Sequence, residues 1–438
     1  MAQADLVDPG DDCPWRCRVL ESQPPDPRRA RLEPPAWAPR TEAQPTGPLA
    51  GFRIIDVTHA AAGPYASLML ADLGADVIKV EPPRGELIRF LGPFHPDDEV
   101  HAYGARFAFR NRNKRSIALD LEVDEDRETF LQLVETADGL IENMRSGVLD
   151  RLGVGWEVCH ARNPRLVYAA IRGFGDPRTG ASPYVDWPAF DPIAQAMGGV
   201  VANNGPDAET PLRAGPIIGD LVPALHAALG LVSALLASQR SGEGQFVDVA
   251  MVDALMSLCE SAHVMWVYAG QRYERAGNHI GAVAPAGVYA TADGHCAIVA
   301  LTDGQWRALC QLMGRPDLAE DDALRSVKGR AAHRERIEAE VGAWAAALTT
   351  AEVVARLGGT VPVGPVYEAA DWADEPHVAA REMLVAVDHD GYGPTAQLGC
   401  PIKFTGTPAN IYRRPPRLDE HSAELRAELS AHRPPPAL

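Results

Sequence analysis

A strand, a short turn, a helix and a second strand follow one another early in the chain. Residues 52–57 form a β-branched run, residues 65–73 have the apolar spacing of a helix that ends at Gly74, and residues 76–81 form a second apolar run. Such a unit joins two parallel strands through a crossover helix. It constrains the fold more than any other feature of the sequence, because it predicts an α/β domain.

The same alternation continues further along the chain. A helix is predicted over residues 127–137, and strands over residues 139–142 and 166–171. The first half is therefore interpreted as a doubly wound α/β domain. A long apolar helix over residues 220–238 comes next, and a hairpin signal at the Asp-Gly pair 293–294 indicates a smaller α+β domain beyond it.

The beginning of the chain has a different composition. The length of 438 residues suits two domains or slightly more. The first 48 residues hold 10 of the 37 prolines, with mixed charge and little periodicity. We expect an extended arm there. A disordered tail is one interpretation, and a strap that packs on the body through Trp15, Leu20 and Trp37 is the other.

The charge and cysteine content limit the partners and the compartment. The chain has 59 acidic and 41 basic residues and a formal net charge of −18, which argues against nucleic-acid binding and against attachment to anionic membranes. The seven cysteines show no disulfide framework, and residues 1–10 lack the pattern of a secretory signal, so a cytoplasmic location is expected. The apolar stretch 221–237 is shorter than the ~20 residues of a membrane span, which favours a buried helix.

Several common site motifs do not occur in the sequence. The turn from His59 to Pro64 has one glycine and no GxGxxG pattern, so a Rossmann-like scaffold without a dinucleotide is favoured over an NAD site. Motifs of P-loops, serine hydrolases and zincins are missing. The 13 histidines have no metal-ligand spacing, and no metal site is predicted.

Two local features are candidates for chemistry. Residues 110–115 carry four cations in an acidic protein, which suits phosphate groups but also a solvated charge run. Asp220 stands directly before the long apolar helix. It is either a helix N-cap or a nucleophilic carboxylate on a glycine turn, kept ionised by the helix dipole, with Gly219 allowing a substrate to approach closely.

Together with further segments, these features resemble the family III CoA-transferases, which include formyl-CoA transferase, carnitine CoA-transferase and the α-methylacyl-CoA racemases. The resemblance extends over roughly residues 48–429. The matching segments are residues 48–58, 62–64, 73–81, 113–116, 141–143, 149–153, 163–165, 173–175, 190–196, 219–220, 242–245 and 251–254. Each segment alone is a weak match, but their common order makes the resemblance specific.

The resemblance implies a Rossmann-like large domain built from both ends of the chain, a smaller α+β domain and an interlocked homodimer. The expected division is a proline-rich arm (1–48), the first part of the CoA-binding domain (49–256), a linker (257–280), the small domain (281–370), and a linker with the C-terminal return (371–438). No permanently bound cofactor is implied, since coenzyme A and acyl-CoA are substrates. The implied partners are an acyl-CoA donor and a carboxylic acid acceptor.

The resemblance places the catalytic aspartate at Asp220. It implies that Asp220 forms an acyl-aspartyl anhydride and then an aspartyl-CoA thioester, from which an acceptor carboxylate takes the CoA. The CoA contacts that it implies are His59, Ala60, Leu119, Asn143, Met144, Arg151 and Met251. On the basis of charge we add Arg84 and Arg115.

Two other activities are open within the resemblance. The racemase branch pairs its aspartate with a histidine that exchanges the α-proton, and Phe190 occupies that position here, so transfer is favoured over racemisation. A protein that only binds acyl-CoA is the other alternative, against which the retained Asp220 argues. Three departures leave the substrate open: Ala61 replaces a glutamine, Pro82 replaces an arginine, and the lid loop at residues 275–281 has only two glycines.

Overall fold

A computed structural model describes residues 44–391 and 393–432, without the side chain of His432. Nearly all of the arm predicted over residues 1–48 therefore lies outside the described residues.

The strands are β1 (Arg53–Val57), β2 (Asp76–Glu81), β3 (Lys114–Ala118), β4 (Gly139–Glu142), β5 (Val167–Arg172), β6 (Phe246–Ala250), β7 (Ala286–Ala290), β8 (His295–Val299), β9 (Val363–Pro365), β10 (Leu384–Val387) and β11 (Thr395–Leu398). The α-helices are α1 (Ala62–Asp72), α2 (Ala105–Asn111), α3 (Asp124–Glu135), α4 (Val148–Arg151), α5 (Trp156–Arg162), α6 (Asp191–Met197), α7 (Val200–Asn203), α8 (Ile218–Ser241), α9 (Met251–Met256), α10 (Glu260–Ala269), α11 (Asp303–Leu312), α12 (Pro316–Glu320), α13 (Val327–Ala332), α14 (Arg334–Ala346), α15 (Thr350–Leu357), α16 (Pro376–Ala380) and α17 (Ser422–His432). Short 3₁₀ segments lie at Leu87–Phe90, Ser257–Cys259 and Asp371–Asp374.

Strands β1 to β6 form one parallel sheet in the order β3-β2-β1-β4-β5-β6. This is the strand order of doubly wound folds, in which the direction of winding reverses between β1 and β4. In the register of the first pair, Arg53 of β1 lies opposite Asp76 of β2. The predicted strand–helix–strand unit and the α/β class of the first half are confirmed.

Helices cover both faces of this sheet. On one face α3, α5 and α17 contribute to an apolar core, with Phe130 and Leu425 among its fully buried members. On the other face α1 packs on α8, and α8 packs on β5 and β6. A Cβ on Gly139 of β4 would lie 3.5 Å from the Cδ2 of Leu231, which is an ordinary contact distance, so α8 packs directly on the sheet here.

Helix α8 is apolar on its outer side as well. It has 24 residues and starts and ends slightly beyond the predicted 220–238. The side toward the sheet buries Ala227, Leu231 and Leu235, whereas Leu229 and Leu236 are more than half exposed. By length and composition alone the helix also suits a membrane span, with 39% of its most apolar window buried. The sequence predicts a buried helix, and the structure confirms this burial for one side of α8 only.

The chain divides into two compact units. One contains the described chain up to Ala194, Ile217–Ala254 and the part from Ala373 onward; the other contains Gln195–Pro216 and Leu255–Trp372. The predicted linker, residues 257–280, includes α10 of the second unit. The domain boundaries expected from the sequence stay predictions.

The second unit contains a three-stranded antiparallel sheet in the order β7-β8-β9. Its first two strands form the hairpin predicted around the Asp-Gly pair 293–294. Helices α11, α14 and α15 supply buried side chains to its core, among them Trp306, Ile337 and Val353. A smaller α+β arrangement therefore forms, as the sequence predicts.

Candidate active site

Most of the predicted CoA contacts follow the C-terminal ends of the parallel strands. His59 and Ala60 come after β1, Arg84 after β2, Leu119 after β3, Asn143, Met144 and Arg151 after β4, and Met251 after β6. In open α/β sheets, ligands bind at this edge where the strand order reverses, which here is between β1 and β4. The fold brings these residues to one edge, and their contacts with CoA stay predictions.

The turn after β1 is held in place by two side chains. Asn143 accepts a hydrogen bond from the backbone N–H of His59 at 2.8 Å and donates one to the His59 carbonyl at 2.8 Å. Ala60 has a left-handed backbone with φ of 65°, and its N–H donates to the Oε2 of Glu86 at 2.7 Å. Burial, aided by the charge of Lys79, lowers the pKa of His59, so this imidazole is neutral at pH 7.

A groove lies beside the ends of β3 and β4. It has a volume of about 550 Å³ and is lined by Leu121, Glu122, Arg127, Val148, Arg151 and Leu152. Arg127 pairs with Asp124, whereas Arg151 is exposed and has no ion pair within the described residues. Arg151 is therefore well placed for a phosphate group. The side chain of Leu119 is only 1% exposed and belongs to the core, so the prediction of its side chain as an adenine contact is not supported; Leu121 lines the groove instead.

The remaining predicted contacts differ in accessibility. Arg84 lies exposed in the turn after β2, open to an anionic ligand. Met144 is half-buried, and its N–H donates to the Oε2 of Glu142 at 2.6 Å. Met251, at the start of α9, is 6% exposed. Of these three side chains, that of Arg84 is the most accessible to a ligand.

Asp220 does not cap the helix at which it stands. Helix α8 begins at Ile218, its N-cap is Ile217 without a side-chain cap, and Asp220 is therefore its third residue. Asp191, the first residue of α6, supplies the missing acceptor: its Oδ1 receives the N–H of Gly219 at 2.9 Å. The Asp220 carboxylate has no capping role and is left for other chemistry.

Gly219 is required by the close approach of Asp191. A Cβ at this position would lie 2.6 Å from the Asp191 carbonyl oxygen and 2.8 Å from its Cα. Both are backbone atoms that cannot turn aside. The Gly-Asp pair thus combines tight packing at Gly219 with a carboxylate at Asp220.

Asp220 is not stabilised as an anion in the way that the sequence suggested. Burial and the neighbouring negative charge of Asp191 raise its pKa to about 6, and the positive charge of Arg110 opposes this rise. The helix start therefore does not lower the pKa of Asp220 below that of an exposed aspartate. At pH 7 most of the carboxylate is still ionised, but it is more basic than an exposed aspartate.

Most of the predicted phosphate cluster is used inside the protein. Arg112 forms a buried pair with Asp72 at 2.6 Å, and Lys114 forms one with Asp56 at 2.8 Å. Arg115 pairs with the carboxylates of Asp76, Glu424 and Glu428 at 2.5–2.8 Å and is 4% exposed. The prediction of Arg115 as a CoA contact is thus not supported, because three carboxylates already surround its guanidinium.

Three residues join the site that were not predicted to act in it. The sequence indicates Arg110 only as part of the cation run 110–115, and it gives no sign of a role for Asp191 or Glu86. Phe190 itself is 71% exposed and carries no group that can exchange a proton. No local pattern indicates that Asp191 caps a distant helix or that Glu86 holds the first turn. Both contacts depend on how the chain folds back on itself.

The chemistry available at Asp220 is that of a nucleophile. A half-buried carboxylate with a raised pKa and no helix-capping duty can attack an electrophilic carbonyl. Arg110 is the cation whose charge acts on Asp220. The two side chains form no ion pair among the described residues. The edge of the sheet beside it offers the exposed cations Arg84 and Arg151 for phosphates.

Known proteins resemble this chain over most of its length. The family model described as CoA-transferase family III matches residues 49–422. The succinyl-CoA:mesaconate CoA-transferase of Haloarcula hispanica is 44% identical over 380 residues, which cover 86% of this chain and 96% of that protein. The acetyl-CoA:oxalate CoA-transferase of Acetobacter aceti is 37% identical over 398 residues, covering 89% and 98%. A crystal structure of a CAIB/BAIF family protein from Brucella suis has a TM-score of 0.78 and 34% identity, covering 88% of this chain and 100% of that one.

Proposed function

Since the chain belongs to CoA-transferase family III and is an acyl-CoA:carboxylate CoA-transferase, we propose that it transfers CoA through covalent intermediates on Asp220. The Asp220 carboxylate attacks the thioester carbonyl of the donor, the C–S bond breaks, and an acyl-aspartyl anhydride and CoA thiolate form. The thiolate then attacks the aspartyl carbonyl and releases the donor acid as a carboxylate. The acceptor carboxylate follows the reverse sequence and leaves as an acyl-CoA, and Asp220 is regenerated.

The observation that carries this proposal is that Asp220 and the aspartate that caps α8 are different residues. Asp191 accepts the N–H of Gly219, so Asp220 stands in the first turn of the helix without serving as its cap. An aspartate that only capped the helix would be expected to make that bond itself. The raised pKa of Asp220 adds to its nucleophilicity, because basicity and nucleophilicity rise together.

The substrate class that we propose is a small dicarboxylic acid. The names of two relatives, one at 44% and one at 37% identity, contain three dicarboxylic acids, in the words succinyl-CoA, mesaconate and oxalate, beside the monocarboxylic acetyl-CoA. All three acids carry a second carboxylate that stays ionised while the first is activated. We therefore expect succinyl-CoA as a donor and a short dicarboxylate such as mesaconate as an acceptor.

The test of the mechanism combines trapping with a substitution. The wild-type protein is incubated with succinyl-CoA and hydroxylamine, and we expect loss of activity together with a hydroxamate on Asp220 in peptide mass spectra. Asp220→Asn should reduce kcat by at least ~10³-fold. Asp322→Asn, which changes a highly exposed carboxylate in a surface ion pair, is the matched control and should transfer CoA at the wild-type rate.

Two results would contradict the covalent route. One is full transfer by Asp220→Asn, and the other is an unmodified Asp220 after trapping under turnover. Racemisation is examined in the same samples by α-proton exchange of 2-methylacyl-CoA in deuterated water. We expect no enzyme-dependent exchange, because Phe190 cannot carry a proton and His226 lies exposed with its Nδ1 2.9 Å from the Val222 carbonyl oxygen.

Further expectations from the sequence belong to this proposal. An interlocked homodimer would cover apolar side chains that a single chain exposes, such as Leu229 of α8 and, in the other unit, Trp266 and Tyr268 of α10. A cytoplasmic location, with CoA present only as substrate, is consistent with a transferase of soluble acids.

A further inference from the structure

Arg110 occupies a rigid position near the nucleophile. It is the sixth of the seven residues of α2, which packs on α1, and α1 in turn packs on α8. Phe107, one turn earlier on α2, is fully buried, and the guanidinium of Arg89 lies 3.8 Å from its ring centre. The backbone of Arg110 is therefore held by core packing rather than by a flexible loop.

The side chain of Arg110 lacks the internal partner that its neighbours have. Arg112, Lys114 and Arg115 each pair with at least one carboxylate. Arg110 is half-buried, its Nε is shielded from solvent, and this atom has no hydrogen-bond partner among the described residues. A shielded donor without an acceptor is unfavourable, so a ligand that supplies an acceptor would be bound there.

The two carboxylates that act on Arg110 have other roles in the site. Burial lowers the pKa of Arg110, and the charges that act on it most are Asp220, Arg106 and Glu86. Glu86 already accepts the N–H of Ala60 and lies 3.0 Å from the Nζ of Lys79. Arg106, one turn earlier on α2, is exposed, so solvent screens its positive charge.

From this geometry we infer that Arg110 is a specificity-determining residue, which binds the second, unreacted carboxylate of a dicarboxylic substrate. The inference rests on the proposed function, because it assumes acyl transfer at Asp220. A guanidinium pairs with a carboxylate through two parallel N–H···O bonds, so both the charge and the direction of the substrate would be recognised.

One cation can serve both halves of the reaction. The donor acid and the acceptor acid each pass in turn through an anhydride on Asp220, so each would present its second carboxylate at the same place. Arg110 is fixed on α2 and Asp220 on α8, and the separation of these groups would favour acids of a particular length. A monocarboxylate would leave the Nε of Arg110 without an acceptor, which is an effective way to reject an analogue.

The test compares acids that differ only in the second carboxylate. Transfer is measured with succinyl-CoA and butyryl-CoA as donors and with succinate, mesaconate and butyrate as acceptors. For Arg110→Gln we expect kcat/KM with the dicarboxylic substrates to fall by ~10²-fold or more. With butyryl-CoA and butyrate it should stay within about threefold of wild type or rise. Arg110→Lys keeps the positive charge but lacks the two parallel N–H donors of a guanidinium. Its activity with dicarboxylic substrates should lie between those of Arg110→Gln and wild type.

Arg106→Gln is the matched control, since it removes the same charge one turn away on the same helix. It should change the ratio of dicarboxylate to monocarboxylate activity by less than about threefold. Thermal melting of each variant shows whether it is folded. Equal losses of kcat/KM for both substrate classes in Arg110→Gln would overturn the role of Arg110, and so would an equal change of selectivity in Arg106→Gln. The proposed function would survive either result if the wild type transfers CoA and Asp220→Asn does not. Absence of transfer by wild type with all these acids would reject the proposed function and the inference together.

Discussion

At the scale of single residues, the protonation of Asp220 depends on groups that are distant in sequence. Burial and the charge of Asp191 raise the pKa of Asp220 to about 6, and Arg110 opposes the rise. The N–H of Gly219, which could have stabilised the Asp220 anion, is donated to Asp191. The Asp220 carboxylate is therefore ionised but poorly stabilised at neutral pH, which is a reactive state for a carboxylate.

The pH dependence of transfer should follow this carboxylate. Since the proposed attacking form of Asp220 is the anion, kcat/KM should fall as the pH drops through about 6. Asp191→Asn keeps an oxygen acceptor for the N–H of Gly219 and removes the negative charge, so the pKa of Asp220 should fall and the acid limb should move to lower pH. The measurement is a pH–rate profile of both proteins with the same substrates.

The buried carboxyl group of Glu142 is another group that could cause the acid limb of the pH–rate profile. Burial raises its pKa to about 7, and the charge of Arg172 only partly opposes this. A limb that Glu142 caused would stay at the same pH in Asp191→Asn. An unmoved limb would therefore contradict the assignment to Asp220.

At the scale of elements, strand β3 shows why neighbouring cations of the run 110–115 have different partners. In a strand, successive side chains point to opposite faces, so neighbouring cations meet different partners. Lys114 forms an ion pair with Asp56, and Arg115 forms ion pairs with Asp76 and with two carboxylates of α17. Arg112, just before β3, lies at Asp72. These pairs connect β3 with the rest of the unit, and only Arg110, on the preceding helix, is without such a pair among the described residues.

Substitution of Arg115 should therefore affect stability and not binding. Arg115→Gln breaks a largely buried ion cluster, and we expect the free energy of unfolding to fall by about 1–3 kcal/mol. The KM for acyl-CoA should stay as in wild type. Arg151→Gln, at the exposed groove, should have the opposite profile, with a raised KM and unchanged stability. The measurements are denaturant unfolding and initial rates. A raised KM for Arg115→Gln would instead support the prediction from the sequence that Arg115 contacts CoA.

At the scale of the whole molecule, the outer side of α8 exposes an apolar stripe. Leu225, Leu229 and Leu236 recur at helical spacing and are 47–67% exposed in the single chain. Apolar stripes of this kind are rarely left in water, because burial of their area is favourable. A second copy of the chain, as the family resemblance implies, is the proposed cover.

Charge on this stripe should disrupt the assembly. We expect the wild type to have the mass of a dimer in size-exclusion chromatography with light scattering, and Leu229→Glu to shift it toward monomer. Gln239→Glu places the same charge at an exposed polar position of α8 and should remain dimeric. A monomeric wild type, or a Leu229→Glu protein that is dimeric at all concentrations, would contradict the proposed cover.

Local patterns predicted the elements of the sheet well. Strands β2 and β4 begin and end at the predicted residues, because their β-branched runs are bounded by turn residues. The helix predicted over residues 220–238 also forms, but α8 begins at Ile218 and ends at Ser241. The apolar spacing stops before the polar residues 239–241, whereas the helix continues until Gly242 adopts a left-handed backbone with φ of 80°.

By itself, the sequence determined the parallel α/β architecture and the position of Asp220 at a helix start, because both depend on residues that are close together in the chain. The tertiary structure decided which charges are available. It paired Arg112, Lys114 and Arg115 with internal carboxylates, left Arg110 near Asp220, and brought Asp191 to cap α8. The energy of a charge depends on burial and on neighbours from distant segments, and only the folded chain sets these.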